Sequence, residues 1–224
     1  FGCGLVGQMA IASAKLFGAS KIVAIDCLQA RLDMAELQGA IPINYEKVDP
    51  VKKLKELTGG FGPDSCIDAV GIDAQAAHHG PASMKNLLFG GIQHMVEQKL
   101  VAPFSVLIGD KWRQGDAPFQ ALTWCVEAVR KSGAVSIIGV YPESAVLFPI
   151  GAVMQKTITV KAANCSHRRF IPKLIQVVQN GFSPSTILTK LEEFKDVVSC
   201  YENFDQRKPG WMKVELIPPT EEAA

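Results

Sequence analysis

Three glycines fall within the first seven residues, Gly2, Gly4 and Gly7, in the pattern G-x-G-x-x-G. This spacing suits a turn that feeds a helix. The first glycine allows a tight bend, the second lets the backbone approach a bulky anion, and the third lets the helix pack closely on a strand. Amide groups at such a helix start, aligned with its dipole, would face a phosphate. Short glycine motifs also occur in purely structural turns and in methyltransferases, so the flanking pattern decides. Here a helical period begins within the motif, and nineteen residues after Gly7 the carboxylate of Asp26 closes the apolar run Ile22-Val23-Ala24-Ile25. A carboxylate at the end of that strand can accept hydrogen bonds from both hydroxyls of an adenosine ribose. The pattern points to a dinucleotide; a structural turn with a solvated Asp26 is the alternative.

Asp26 also bears on which dinucleotide. A 2′-phosphate placed ~4 Å away would be repelled by roughly 4 kcal/mol per charge pair at an effective dielectric of about 20, before screening. NAD is therefore favoured over NADP. Arg31, a helical turn further on, either accommodates a phosphate or is a solvated charge on a helix face.

The elements that would position these residues alternate. Val6, Ala10, Ser13, Ala14 and Phe17 share a helical face that stops at Gly18. A strand over Lys21–Asp26, a helix over Gln29–Leu37 and a weaker strand over Ile41–Tyr45, with Pro42 marking a sheet edge, follow. Pro50 opens a helix running to Thr58, and Ser65–Val70 is the next strand. Residues from Gly71 to Asp116 lose the pattern and read as an irregular excursion with one or two short helices. Phe119, Leu122, Val126 and Val129 restore a helix, followed by strands over Ala134–Val140 and Thr157–Ala162. Leu174, Val177 and Val178 share a helical face ending at Gly181; a strand near Ile187–Leu191, a helix bearing Phe194, Val198 and Tyr201, and a strand over Trp211–Ile217 complete the chain. This alternation predicts an α/β fold, a doubly wound parallel sheet with helices on both faces.

Composition excludes several classes. The 224 residues are 48% apolar, enough for one sizeable core and a small appendage. Lys and Arg (23) nearly balance Asp and Glu (22), and no basic cluster exceeds His167-Arg168-Arg169, which argues against a nucleic-acid partner. Apolar runs fall short of the ~20 residues that span a bilayer, so no membrane partner is expected. The six cysteines contain no C-x-x-C pair, which fits reduced thiols in a cytoplasmic protein. His78, His79, His94 and His167 lack the spacing of a tetrahedral zinc site, so no metal site is expected within the chain. With no initiator methionine or signal peptide at Phe1, the sequence reads as part of a longer chain.

The stretches GCGLVGQMAIASAKLFGASKIVAID, GPDSCIDAVG, SGAVSIIGVY and FDQRKPGWMKVELIP resemble the NAD-binding half of zinc-dependent medium-chain alcohol dehydrogenases. KAANCSHRRFIPKLI resembles the glutathione-independent formaldehyde dehydrogenase branch. The resemblance runs from Gly2 to about Pro218, with Leu5 standing where the family usually has proline. It implies that Gly2, Gly4, Leu5, Val6 and Gly7 cradle the NAD pyrophosphate and that Asp26, with Arg31 beside it, takes the adenosine ribose. Ala69 and Val70 would line the path to the nicotinamide. Ile138, Val140, Ala163 and Cys165 match carboxamide-binding positions, although Ile138, Val140 and Ala163 read equally well as strand core. Lys213 matches a basic residue that reaches the pyrophosphate.

The resemblance also implies that the first strand is largely missing. Residues 1–182 would form the Rossmann domain, and residues 183–224 a tail belonging to a truncated catalytic domain. Zinc and its ligands, the proton relay and the substrate pocket would lie outside the chain. The parent enzyme would move a hydride between a small alcohol or hydrated aldehyde and NAD, as a homo-oligomer (dimer or tetramer), and this chain contributes no catalytic residue. A zinc-free reductase of the same superfamily, a non-catalytic NAD-binding module and a methyltransferase are the rival readings.

Overall fold

The computed structural model describes residues 1–85, 91–101 and 115–219. They divide into two compact units, Phe1–Ala163 and Asn164–Ala224.

In the first unit, α1 (Leu5–Leu16), β1 (Val23–Asp26), α2 (Gln29–Leu37), β2 (Ile41–Asn44), α3 (Pro50–Leu57) and β3 (Ser65–Asp68) alternate as the sequence predicts. The helices α4 (Gly80–Lys85), α5 (Gly91–Val101) and α6 (Gln120–Ala128) are followed by β4 (Ala134–Ile137), α7 (Ile150–Lys156) and β5 (Thr159–Ala162). All strand pairs are parallel: β1 with β2, and β3 with β4, which pairs in turn with β5. Phe1 and Gly2 bridge these two pieces. The Phe1 amine donates to the Ile67 carbonyl (2.7 Å), its carbonyl accepts from Ala69 (2.9 Å), and Gly2 donates to Ile25 (2.9 Å). The fold is thus a Rossmann-like parallel α/β arrangement whose direction of winding reverses at Phe1–Gly2. Beside that bridge, β1 and β3 border a cleft of about 350 Å³ lined by Ala10, Ile11, Ala14, Ala24 and Cys66.

Successive residues of a strand point to opposite faces, and β1 shows both faces covered. Ala24 packs with Cys3, Ile11, Leu32 and Ala35 of the loop, α1 and α2. Ile25 joins a larger core with Ile43, Val51, Leu54, Leu122, Val126 and Val135. Pro42 is tolerated because β2 is an outer strand: Ile41 and Tyr45 donate to Ile22 and Asp26, so the intervening odd–even parity turns the Pro42 nitrogen outward. Asp49 caps α3 through the Lys52 amide (3.1 Å), with Pro50 in its first turn.

Several expectations need correction. The buried face of α1 is Gly7, Gln8, Ile11 and Ala12, whereas Val6 and Phe17 are 47% and 92% exposed. The apolar side chains at positions 6 and 17 suggested the wrong phase, because a close approach to the sheet selects small residues rather than large ones. The strand expected from Thr157 starts at Thr159, since Thr157 ends α7 in the left-handed region (φ 55°). Helix α7 has no counterpart in the sequence reading. The excursion contains a buried group of its own: the fully buried Glu97 carboxylate takes Gln93 (2.7 Å) and His94 Nδ1 (3.0 Å).

In the second unit, α8 (His167–Gln179) is followed by β6 (Lys190–Glu193), α9 (Val197–Asp205) and β7 (Val214–Ile217), and β6 and β7 pair in parallel. The strand expected near Ile187–Leu191 begins at Lys190, because Pro184–Ile187 form a 3-10 turn. Among the described residues no helix is long and apolar enough to cross a membrane.

Candidate nucleotide-binding site

The glycine loop is held from below. Gly2 adopts φ +83°, and a Cβ there would overlap the Val70 side chain; a Cβ on Gly7 would overlap the Gly2 carbonyl oxygen. Those two glycines are required by packing. Gly4 differs, because among the described residues a Cβ there would meet only the Arg31 guanidinium, 3.7 Å away. Open space therefore lies over Gly4, bounded by a cation. Gly4 is also the N-cap of α1, and among the described residues no side chain caps that helix, so its first-turn amides are available to an anion. This is the donor set a pyrophosphate needs, and it fits the dinucleotide.

Asp26 ends β1 and is 5% exposed. Its Oδ1 accepts from Cys27 (2.7 Å) and Leu28 (3.0 Å), its Oδ2 accepts from Cys3 (2.8 Å), and Arg31 stands 3.9 Å from Oδ2. A carboxylate has about four acceptor positions. Three are occupied, so one acceptor position remains on Oδ2, and the expectation that Asp26 accepts from both ribose hydroxyls is reduced to one. Asp26 thus anchors the loop as well as offering an acceptor. The Cys3 thiol, buried and next to this carboxylate, has its pKa pushed up to about 12, by burial first and then by Asp26.

Gln8 is a site residue that the sequence reading missed. It is fully buried, and its amide donates to the Cys3 carbonyl (2.9 Å) and the Arg31 carbonyl (2.9 Å) while accepting from Gln38. One side chain therefore ties the glycine loop to α2, which carries Arg31. Its only sequence signal was a polar residue inside an otherwise apolar helix start.

The strands are parallel, so the ends of β3, β4 and β5 open on the same side of the sheet, where open α/β folds bind ligands. Ala69 and Val70 follow β3 and are half-buried; Ile138 and Val140 follow β4 and are 47% and 70% exposed. Ala163, just past β5, is exposed as well. The strand-core alternative for Ile138, Val140 and Ala163 is thereby overturned: β4 and β5 end at Ile137 and Ala162, before these residues. Cys165 and Lys213 belong to the second unit. Cys165 is exposed, and Lys213 immediately precedes β7, which starts at Val214 rather than at the expected Trp211; the Lys213 carbonyl accepts from Thr189 (2.9 Å) and Lys190 (3.1 Å). Among the described residues no three His, Cys, Asp or Glu side chains are grouped as metal ligands would be.

Residues 6–82 match the family model for zinc-binding dehydrogenases. The zinc-type alcohol dehydrogenase-like protein AdhB of Bacillus subtilis is 29% identical over 97% of this chain and 51% of its own length. Zinc-type alcohol dehydrogenase-like protein C1198.01 of Schizosaccharomyces pombe is 28% identical over 96% of this chain and 45% of its own. Among solved structures, alcohol dehydrogenase TADH from Thermus sp. ATN1 superposes with a TM-score of 0.71 at 27% identity, covering 97% of this chain and 51% of that one. The chain spans about half the length of the curated relatives it matches.

Proposed function

We propose that this chain, similar over nearly all its length to zinc-type alcohol dehydrogenases, is the NAD-binding portion of an oxidoreductase. The protein as a whole would pass a hydride between a small alcohol, or a hydrated aldehyde, and the nicotinamide, with the glutathione-independent formaldehyde dehydrogenases as its branch. The observation that carries this reading is the open space over Gly4 between an uncapped helix start and the Arg31 guanidinium, with Asp26 alongside. When bound, NAD supplies the hydride acceptor; the residues of this chain bind and orient it. Gly2, Gly4, Leu5, Val6 and Gly7 present backbone to the pyrophosphate, Asp26 receives a ribose hydroxyl, and the ends of β3 and β4 flank the nicotinamide half.

Zinc belongs to this proposal only through a part of the protein other than this chain. The tail from Ser183 is assigned to that same catalytic part; in support, β6 and β7 pair with each other and lie in the second compact unit, which begins at Asn164. A cytoplasmic homo-oligomer completes the proposal. The test is turnover by the intact protein with formaldehyde and simple alcohols, followed by reduced-nicotinamide absorbance alongside zinc analysis. NAD reduction by a zinc-containing protein is expected. Turnover without zinc would instead identify a metal-free reductase, and binding without turnover a non-catalytic module.

A further inference from the structure

Asp68, the last residue of β3, is fully buried, yet nothing in the proposed function uses its carboxylate. Three donors converge on it. Oδ1 accepts the amides of Val70 (2.9 Å) and Gly71 (3.0 Å), and Oδ2 accepts the Tyr141 hydroxyl (2.6 Å). The Asp68 main-chain carbonyl meanwhile accepts from Ile138 (2.9 Å) and Gly139 (2.9 Å). One residue therefore binds both the turn after β3 and the turn after β4.

The two turns are also in direct contact. Ile72 donates to the Val140 carbonyl (3.1 Å), and a Cβ on Gly71 or Gly139 would overlap the backbone of the other turn. Tyr141 is fixed on its far side by stacking on Phe119, with ring centroids 5.6 Å apart and planes at 26°. Burial, then the adjacent carboxylate, pushes the Tyr141 hydroxyl well above the ordinary range, so it stays a donor at any physiological pH. These bonds set where Ala69, Val70, Ile138 and Val140 stand.

We infer that the Asp68–Tyr141 pair is a positioning device for the nicotinamide half of the bound dinucleotide, acting by locking the turns after β3 and β4 into one wall. This rests on the NAD-binding reading above. A dinucleotide with its adenosine ribose at Asp26 and its pyrophosphate over Gly4 has its second nucleotide across the ends of β3 and β4. Loosening that wall penalises the nicotinamide half and spares the adenosine half. The contrast between NAD and ADP-ribose, which lacks the nicotinamide ring, isolates the effect. A general loss of structure would weaken both ligands alike.

The experiment is calorimetric titration of the intact protein and its Asp68→Ala, Asp68→Asn and Tyr141→Phe variants with NAD and with ADP-ribose, next to a thermal melt. In Asp68→Ala, NAD affinity falls about tenfold or more while ADP-ribose stays within about twofold, from the loss of three buried hydrogen bonds around the wall. Tyr141→Phe, which keeps the stacked ring, shifts the ratio in the same direction by about threefold or more, and serves alone if the alanine variant does not fold. Asp68→Asn recovers most of the ratio: its carbonyl can accept from Val70 and Gly71, and its amide can donate to the Tyr141 oxygen. Equal weakening of both ligands, or an unchanged ratio in folded variants, overturns the positioning role and leaves NAD binding standing. Failure of the unmodified protein to bind either ligand overturns both.

Discussion

Replacing Asp26 by Asn changes the cofactor preference in a direction that the geometry fixes. The wild-type carboxylate has one acceptor position left on Oδ2, so a bound NAD gains one charge-assisted hydrogen bond there, roughly 1.5 to 3 kcal/mol. For NADP the same carboxylate faces a 2′-phosphate; at ~4 Å this costs on the order of 4 kcal/mol at an effective dielectric of about 20, reduced by screening. The variant removes both effects, and Arg31, 3.9 Å from Oδ2, is released to pair with the phosphate. Asp26 also holds the Cys3 amide, so the loop loosens and both cofactors weaken by a shared factor. The ratio of the two dissociation constants cancels that factor and isolates the carboxylate. It moves toward NADP by about tenfold to a thousandfold at one fixed, low salt concentration. An unmoved ratio would show that Asp26 serves only the loop and never meets the ribose.

Other outcomes follow from the same contacts. Gly7→Ala places a methyl group against the Gly2 carbonyl, so thermal denaturation should show a loss of roughly 1 to 3 kcal/mol together with lost NAD affinity. Gln8→Leu removes the buried donor to the Cys3 carbonyl and the tie to the Arg31 carbonyl, and should cost about 1 to 3 kcal/mol in chemical denaturation. The Cys3 pKa, raised from 9.0 to about 12, means that the folded protein holds this proton more tightly than the unfolded chain. Its contribution is complete below about pH 9 and is lost as pH rises toward 12, so wild type should lose stability relative to Cys3→Ala across that window, by a few kcal/mol at most. At pH 8 a thiol-alkylating reagent should label the exposed Cys165 and spare Cys3, as mass spectrometry of the modified peptides would show.

Much of the site was legible because its chemistry is local. The glycine spacing, the helix that follows it and the carboxylate closing β1 lie within 26 consecutive residues, and each has a steric or electrostatic signature that survives without tertiary context. The strand ends were harder to read. β3 stops at Asp68 because its own side chain captures the next amides, and β4 stops at Ile137 because Asp68 receives Ile138 and Gly139 from across the sheet. Such long-range bonds leave no periodic trace, so the apolar runs suggested longer strands and a possible core role for Ile138 and Val140. Gln8 was overlooked for a related reason: a polar side chain at a helix start reads as solvated until the carbonyls around it are known. The phase of α1 misled because close packing on the sheet favours Gly7 and Ala12 over the larger Val6 and Phe17.

Calorimetric titration of the intact protein with NAD, repeated with excess S-adenosylmethionine as competitor, tests the central claim most directly. Saturable binding at one NAD per chain, undisturbed by the competitor, is the predicted result. No binding of NAD, or its displacement by S-adenosylmethionine, would contradict the assignment of the Gly2–Gly7 loop to a nicotinamide dinucleotide.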